Sequence, residues 1–176
     1  MITRSHTKGD AASTAVYSTC ESYRYSLTRV WQPDAPRVLF VMLNPSTATE
    51  IANDPTIERC EQRARRLGFG GFRAANIFAL RATDPRDMKS HAAPEGPQNA
   101  QALEQGAAWA DTIIAAWGVH GAHQDQGTRV AARLRAAGFA LHHLGLTKHG
   151  HPRHPLYLPY SAQPRPWTDA AGPTER

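Results

Sequence analysis

Arg37-Val38-Leu39-Phe40-Val41-Met42-Leu43-Asn44-Pro45-Ser46-Thr47-Ala48 is the stretch whose reading decides the fold. From Val38 to Leu43 every residue is apolar, with no alternation between apolar and polar. Such a run predicts a strand buried on both faces, as in the centre of a parallel sheet. Asn44-Pro45-Ser46-Thr47 then stops it with a turn-tolerant amide, a residue lacking an N–H and two hydroxyls. In open α/β sheets the ligand crevice lies beyond the carboxyl ends of the strands, so these polar residues are the first place to look for chemistry. A plain strand-to-loop turn with an Asx cap is the alternative.

Working outward, residues 23–31 alternate Tyr23, Tyr25, Leu27, Arg29 and Trp31 with Arg24, Ser26, Thr28 and Val30, which predicts a strand at a sheet edge. Residues 1–15 are small and polar and read as a loose lead-in. Beyond the central strand, Asp54-Pro55 has the form of an N-cap followed by proline at the first helical position. Ile57, Cys60, Ala64 and Leu67 continue at helical spacing until Gly68. Arg59, Arg63, Arg65 and Arg66 fall elsewhere on that helix and read as a solvated face or a phosphate-facing patch.

Residues 72–80 form a second apolar strand interrupted by Asn76, a buried amide that needs either backbone partners or a ligand. Arg81-Ala82-Thr83-Asp84-Pro85 follows as a loop, and residues 86–98 read as an irregular connection. Helices are expected over residues 97–110 and 127–137, and strands over 111–118 and 139–144. The alternation of strands and helices from residue 37 onward predicts an α/β fold: a three-layer α/β/α sandwich around a central, mostly parallel four- to five-stranded sheet. The expected domain spans residues 16–162, with a loose tail over 163–176.

The 176 residues suffice for one domain with a real core, and 41% hydrophobic content excludes a disordered chain. A net charge of +5 and a pI near 9.6 allow anionic partners without demanding them. Cys20 and Cys60 stand in no paired motif, against a disulfide scaffold or a cysteine zinc site and in keeping with a reducing cytoplasm. His120 and His123 have a thin metal-like spacing that reads as a surface loop; neither a metal nor a cofactor is expected. No apolar run approaches the ~20 residues of a membrane span, and no signal-peptide core is visible. The expectation is a soluble cytoplasmic protein of open oligomeric state.

Four motifs thus fall at or just past predicted strand ends: Asn44 with Pro45, Ser46 and Thr47; Asn76 to Asp84; Trp117-Gly118; and His154-Pro155. Their wording resembles the family of bacterial proteins that carry the DUF1643 domain. The likeness runs through Val41 to Ala48, Asn53-Asp54-Pro55-Thr56-Ile57, Asn76 to Pro85, Ala116-Trp117-Gly118 and His154-Pro155-Leu156-Tyr157-Leu158. More distantly, the motif order is similar to the uracil-DNA glycosylase superfamily, especially its mismatch-specific branch. Leu43-Asn44-Pro45-Ser46 resembles that branch's first motif and His154-Pro155-Leu156-Tyr157-Leu158 its last.

That resemblance implies a glycosylase-like fold and hydrolysis of an N-glycosidic bond to a base in nucleic acid or a nucleotide. Asn44 would position the attacking water, Asn76 would bind the base edge, and His154 would donate to a base oxygen. Leu158 would fill the space of a flipped base. Pro45, Ser46, Thr47, Phe78, Arg81, Asp84, Trp117, Gly118, Pro155 and Tyr157 would complete the site. The chain departs from the superfamily in having no Asp in the first motif, and Leu156 and Tyr157 where Ser and Pro are usual. Two alternatives stand beside this one: a non-catalytic module that binds a nucleotide or nucleic acid, and a different hydrolase using Asp54 or Asp84 as base.

Overall fold

The computed structural model describes residues 1–168. In chain order the strands are β1 (Ile2–Lys8), β2 (Ala11–Tyr17), β3 (Arg24–Val30) and β4 (Arg37–Met42). Helix α1 (Pro55–Arg66), β5 (Gly71–Asn76), α2 (Pro85–Ser90), α3 (Asn99–Trp109) and β6 (Thr112–Ala115) follow. The chain continues through α4 (Gln126–Ala136), β7 (His142–His143) and β8 (Arg165–Pro166). Two 3-10 segments, Val119–Asp125 and Pro155–Tyr157, lie in the connections.

The unbroken apolar run of β4 has a direct cause. β4 pairs in parallel with β5 on one side and β6 on the other, and Val38 to Val41 are fully buried. Val38 and Phe40 pack with Ile57, Cys60 and Ala64 of α1. Leu39 and Val41 pack on the opposite face with Leu103 and Ala107 of α3 and Val130 and Leu134 of α4. A strand with a core on each face has no side to give to water.

The sheet is larger and more mixed than expected. It has eight strands in the order β1-β2-β3-β5-β4-β6-β7-β8. Pairings β5-β4, β4-β6 and β6-β7 are parallel, while β1-β2, β2-β3, β3-β5 and β7-β8 are antiparallel. Residues 1–15, expected to be loose, belong to a hairpin in full register from Ile2↔Tyr17 to Lys8↔Ala11. β1 is exposed along its middle, which is why it reads as polar coil, but Ala11, Ser13, Ala15 and Tyr17 of β2 are buried. β3 is consequently an interior strand and not an edge.

The strand expected over residues 72–80 leaves the sheet after Asn76, although Ile77 to Ala79 stay buried. The strand expected over 139–144 shrinks to the two residues of β7. Asp84 caps the short α2 within the segment expected to be irregular. Of the tail expected to be loose, Arg165–Pro166 pairs with β7; residues 169–176 lie outside the described ones.

Candidate functional site

Asn44 stands two residues past β4, Asn76 is the last residue of β5, Trp117-Gly118 lies two residues past β6, and His154 follows β7. Their common sheet edge is open because the chain turns away at each strand end. Two chambers sit there, sharing Asn44, Ser46, Thr56 and His154 as walls. The inner one has about 30 Å³ and is also walled by Arg24, Met42, Pro45, Asp54, Ile57 and Asn76. The outer one has about 470 Å³, with Trp117, Gly118, Leu43, Leu156 and Tyr157 among its walls.

Asn76 is 1% exposed, and neither its Oδ1 nor its Nδ2 has a hydrogen-bond partner. The backbone carbonyls beside it are satisfied. Asn99 Nδ2 of α3 donates to the Asn76 carbonyl at 2.7 Å, and Gln126 Nε2 of α4 donates to the Ile77 carbonyl at 2.9 Å. The strand end is therefore capped by amides from two helices, and the Asn76 side chain is left free toward the inner chamber. A buried amide without a partner costs about 1–3 kcal/mol, which a ligand or water would recover.

Asn44 Nδ2 donates to the carbonyls of Ala82 at 2.7 Å and Pro45 at 3.1 Å, so its two protons are spent on backbone and Oδ1 remains as the acceptor. Asp54 caps α1 as its sequence suggests: Oδ1 accepts from Ile57 N at 2.8 Å and Oδ2 from Ala48 N at 3.1 Å. It does both jobs at once, holding the helix and walling the inner chamber.

His154 accepts from Leu156 N at Nδ1, which places the proton of the neutral imidazole on Nε2. Burial pushes its pKa down to about 4, only partly opposed by the Asp54 carboxylate. At neutral pH His154 is an uncharged N–H donor. Arg24 is 1% exposed and its Nη1 donates to Ala48 O at 2.7 Å, while Nε has no partner. Burial lowers its pKa to about 10, so it remains a cation beside Asp54.

Several expected site residues are placed elsewhere. Thr47 is exposed on the loop outside both chambers. Phe78 is core, its ring 5.7 Å from His123. Arg81 stacks over Tyr17 and donates to Glu21 O at 3.2 Å. Asp84 caps α2 and pairs with Arg86 at 2.8 Å. Pro155 is buried at the start of its 3-10 turn. Leu158 packs against the α1-side core, so the residue standing out at the mouth is Tyr157, 87% exposed. Trp117 is both core and chamber wall, and Gly118, at φ 72°, takes a conformation that other residues resist.

Sequence reasoning missed Arg24, Thr56 and His120 as site residues. A lone arginine in an alternating strand reads as the solvent face, and nothing local marks it as buried. Of the α1 arginines Arg66 is exposed and Arg59 and Arg65 are half-buried, as a solvated face would have them, while Arg63 is buried. Arg59, Arg63 and Arg66 surround the Tyr160 ring. Arg59 and Arg63 also donate to the Leu158 carbonyl, and Arg63 to those of Pro159 and Ala162. They fasten the segment that carries His154 onto α1.

Residues 24–156 match the family described as "Protein of unknown function (DUF1643)". The match spans most of the chain, and the chain belongs to that family. No curated protein and no solved structure matches it. Among the described residues no helix is long and apolar enough to cross a membrane, and no group of three or more His, Cys, Asp or Glu is placed to hold a metal.

Proposed function

We propose that the paired chambers form the site of a hydrolase that cleaves the N-glycosidic bond of a nucleobase-containing substrate. The observation that carries this reading is the unpartnered Asn76 amide beneath a chamber walled jointly by Asn44 and His154. An amide offers one donor and one acceptor side by side, complementary to the N–H and C=O of an oxo-base edge. The inner chamber has about a water's share of volume, so it admits the polar edge of a ring and not the whole ring. The ring and sugar occupy the outer chamber, whose 470 Å³ falls in the usual range for small-ligand sites.

As the glycosidic C–N bond breaks, its electron pair goes to the base and positive charge grows on the sugar. His154 Nε2–H donates to the base oxygen that gathers the charge. Water ordered by Asn44 Oδ1 adds to the anomeric carbon, and its proton neutralises the departing base. Asn44 orients water but does not deprotonate it, so the set makes an electrostatic, slow catalyst.

One observation favours a second reading, binding without cleavage. Both Asp54 oxygens already accept backbone N–H groups, so the carboxylate is committed to holding the loop and the helix. Asp84, paired with Arg86 outside both chambers, lends no support to the reading that made it a base.

The test is release of free base from nucleosides, nucleotides, DNA and RNA carrying normal and deaminated bases, with Asn44→Ala and His154→Ala beside the wild type. Release by the wild type that falls 100-fold or more in both variants supports cleavage. Binding of a nucleoside without release moves the function to recognition, and neither binding nor release sinks both readings.

A further inference from the structure

The mouth of the outer chamber carries a second device that the glycosidic chemistry does not use. His120 walls the chamber, and its Nδ1 lies 2.9 Å from Lys89 Nζ on α2. An ammonium has only protons to offer, so it donates to Nδ1 and fixes the imidazole proton on Nε2. Burial and the adjacent ammonium both hold His120 below the usual imidazole range, keeping the ring in that neutral form. The hydroxyls of Ser46 and Thr83 stand on the same chamber wall, 3.3 Å from one another. The nearby carboxylate of Asp84 is occupied by Arg86, which binds it through Nε and Nη2, and by its own helix N–H. One side of the mouth thus presents neutral N–H and O–H donors with a cation behind them.

Most other cations around the site are committed within the molecule, although Arg153, next to His154, and Lys148 are exposed. Arg24 and Arg29 are buried and bind the carbonyls of Ala48 and Thr49. The Arg59, Arg63 and Arg66 set encloses Tyr160. Arg65 pairs with Asp10 and Glu61 and stacks on Trp31. A duplex or long single strand needs a run of free cations to follow its phosphates, and β3 and α1 spend theirs within the molecule. Lys89 differs, because its described partner is an imidazole and not a carboxylate.

We propose, resting on the nucleobase reading above, that the ligand is a free nucleoside monophosphate whose single phosphate is bound at the chamber mouth by His120, Thr83 and Ser46 with Lys89 supplying the countercharge. The base then points toward Asn76, the sugar lies across the outer chamber, and the phosphate leaves at the His120 side. A monophosphate carries about −1.5 to −2 charges at neutral pH, of which Lys89 offsets one while the neutral donors share the rest.

The experiment is calorimetric binding of uridine, cytidine, thymidine, adenosine, guanosine and inosine, of their 5′-monophosphates, of inorganic phosphate and of a single-stranded ten-nucleotide DNA. Each is measured at 50 and 200 mM salt with wild type, Lys89→Gln and His120→Phe. The expected result is that one nucleoside monophosphate binds about tenfold or more tighter than its nucleoside, and that this ratio shrinks toward one in both variants. Equal affinity for nucleoside and monophosphate overturns the phosphate site and leaves the nucleobase reading standing. Inorganic phosphate binding as tightly as the nucleotide reduces the site to an anion site without a base. Tighter binding of the oligonucleotide with steep loss at 200 mM salt replaces the monophosphate by a nucleic acid. No binding by any ligand overturns the nucleobase reading as well.

Discussion

Asn76 holds a free amide in a place where the fold itself gains nothing from it. The predicted consequence separates stability from function. Asn76→Leu replaces the unpartnered polar group with an apolar one of similar size, so thermal unfolding should show no loss beyond about 1 kcal/mol, and ligand affinity should disappear. A loss of about 3 kcal/mol would mean that the amide is hydrogen-bonded in the free protein. His154 makes a second prediction. Its folded pKa of about 4 lies below the 6.5 of an exposed imidazole, so between those values the unfolded chain binds more protons than the folded one. Stability therefore falls as pH drops from 6.5 toward 4, by about 3 kcal/mol at most from this group. His154→Gln should flatten that part of the stability curve in urea titrations; an unchanged slope would place the acid sensitivity elsewhere.

At the scale of elements, the segment bearing His154 depends on helix α1 more than on its own short 3-10 turn. Arg63 is fully buried and donates to three carbonyls of that segment. Arg63→Met keeps much of the apolar stem but strips the carbonyls of their donor, with an expected cost of about 2–3 kcal/mol. The positioning role has its own readout: loosened from α1, the His154 ring should rehydrate and its pKa, followed by NMR, should rise from about 4 toward 6.5. A destabilised variant whose His154 pKa stays put would reduce Arg63 to a purely structural residue. Packing around Trp117 is equally tight. Gly121 and Gly127 press against the indole so closely that an added methyl would overlap it. Gly127→Ala should destabilise by about 1–3 kcal/mol, as overpacked cores do, and disturb the outer chamber wall.

Across the whole molecule, the N-terminal hairpin supports the site from behind. Ser13 Oγ donates to Glu50 O at 2.6 Å, Tyr17 Oη to Glu50 Oε2 at 3.0 Å, and Arg29 Nη1 to Ser13 Oγ at 2.6 Å. Arg29 Nη2 reaches Thr49 O and Asn53 Oδ1, each at 2.8 Å. Residues 45–54, which bring Asn44 and Asp54 to the same chamber, are thus tied to β2 and β3. Deleting residues 1–17 should lower the melting temperature by about 10 °C or more, and open residues 45–54 to proteolysis. An unchanged melting temperature would return the hairpin to the status of a dispensable arm.

The sequence by itself determined the parts whose cause is local. The run from Val38 to Leu43 announced a strand covered on both faces, Asp54-Pro55 announced the start of α1, and the apolar spacing of α3 and α4 announced their packing faces. The strand-end motifs also named Asn44, Asn76, Trp117 and His154, because a polar residue closing a buried strand is conspicuous in one dimension. Tertiary structure alone decided what each polar group meets. In the β1-β2 hairpin only β2 buries a face, tied to Glu50 through Ser13 and Tyr17, while β1 stays exposed, so the hairpin's composition looks like coil. Arg63 and its acceptor at Pro159 are 96 residues apart, and nothing in the arginine spacing of α1 distinguishes a guanidinium spent on distant carbonyls from one facing water. Periodicity records which side of an element is apolar. The partner of a buried charge is fixed by chain segments that approach only after folding, and that is why the chambers had to be seen in three dimensions.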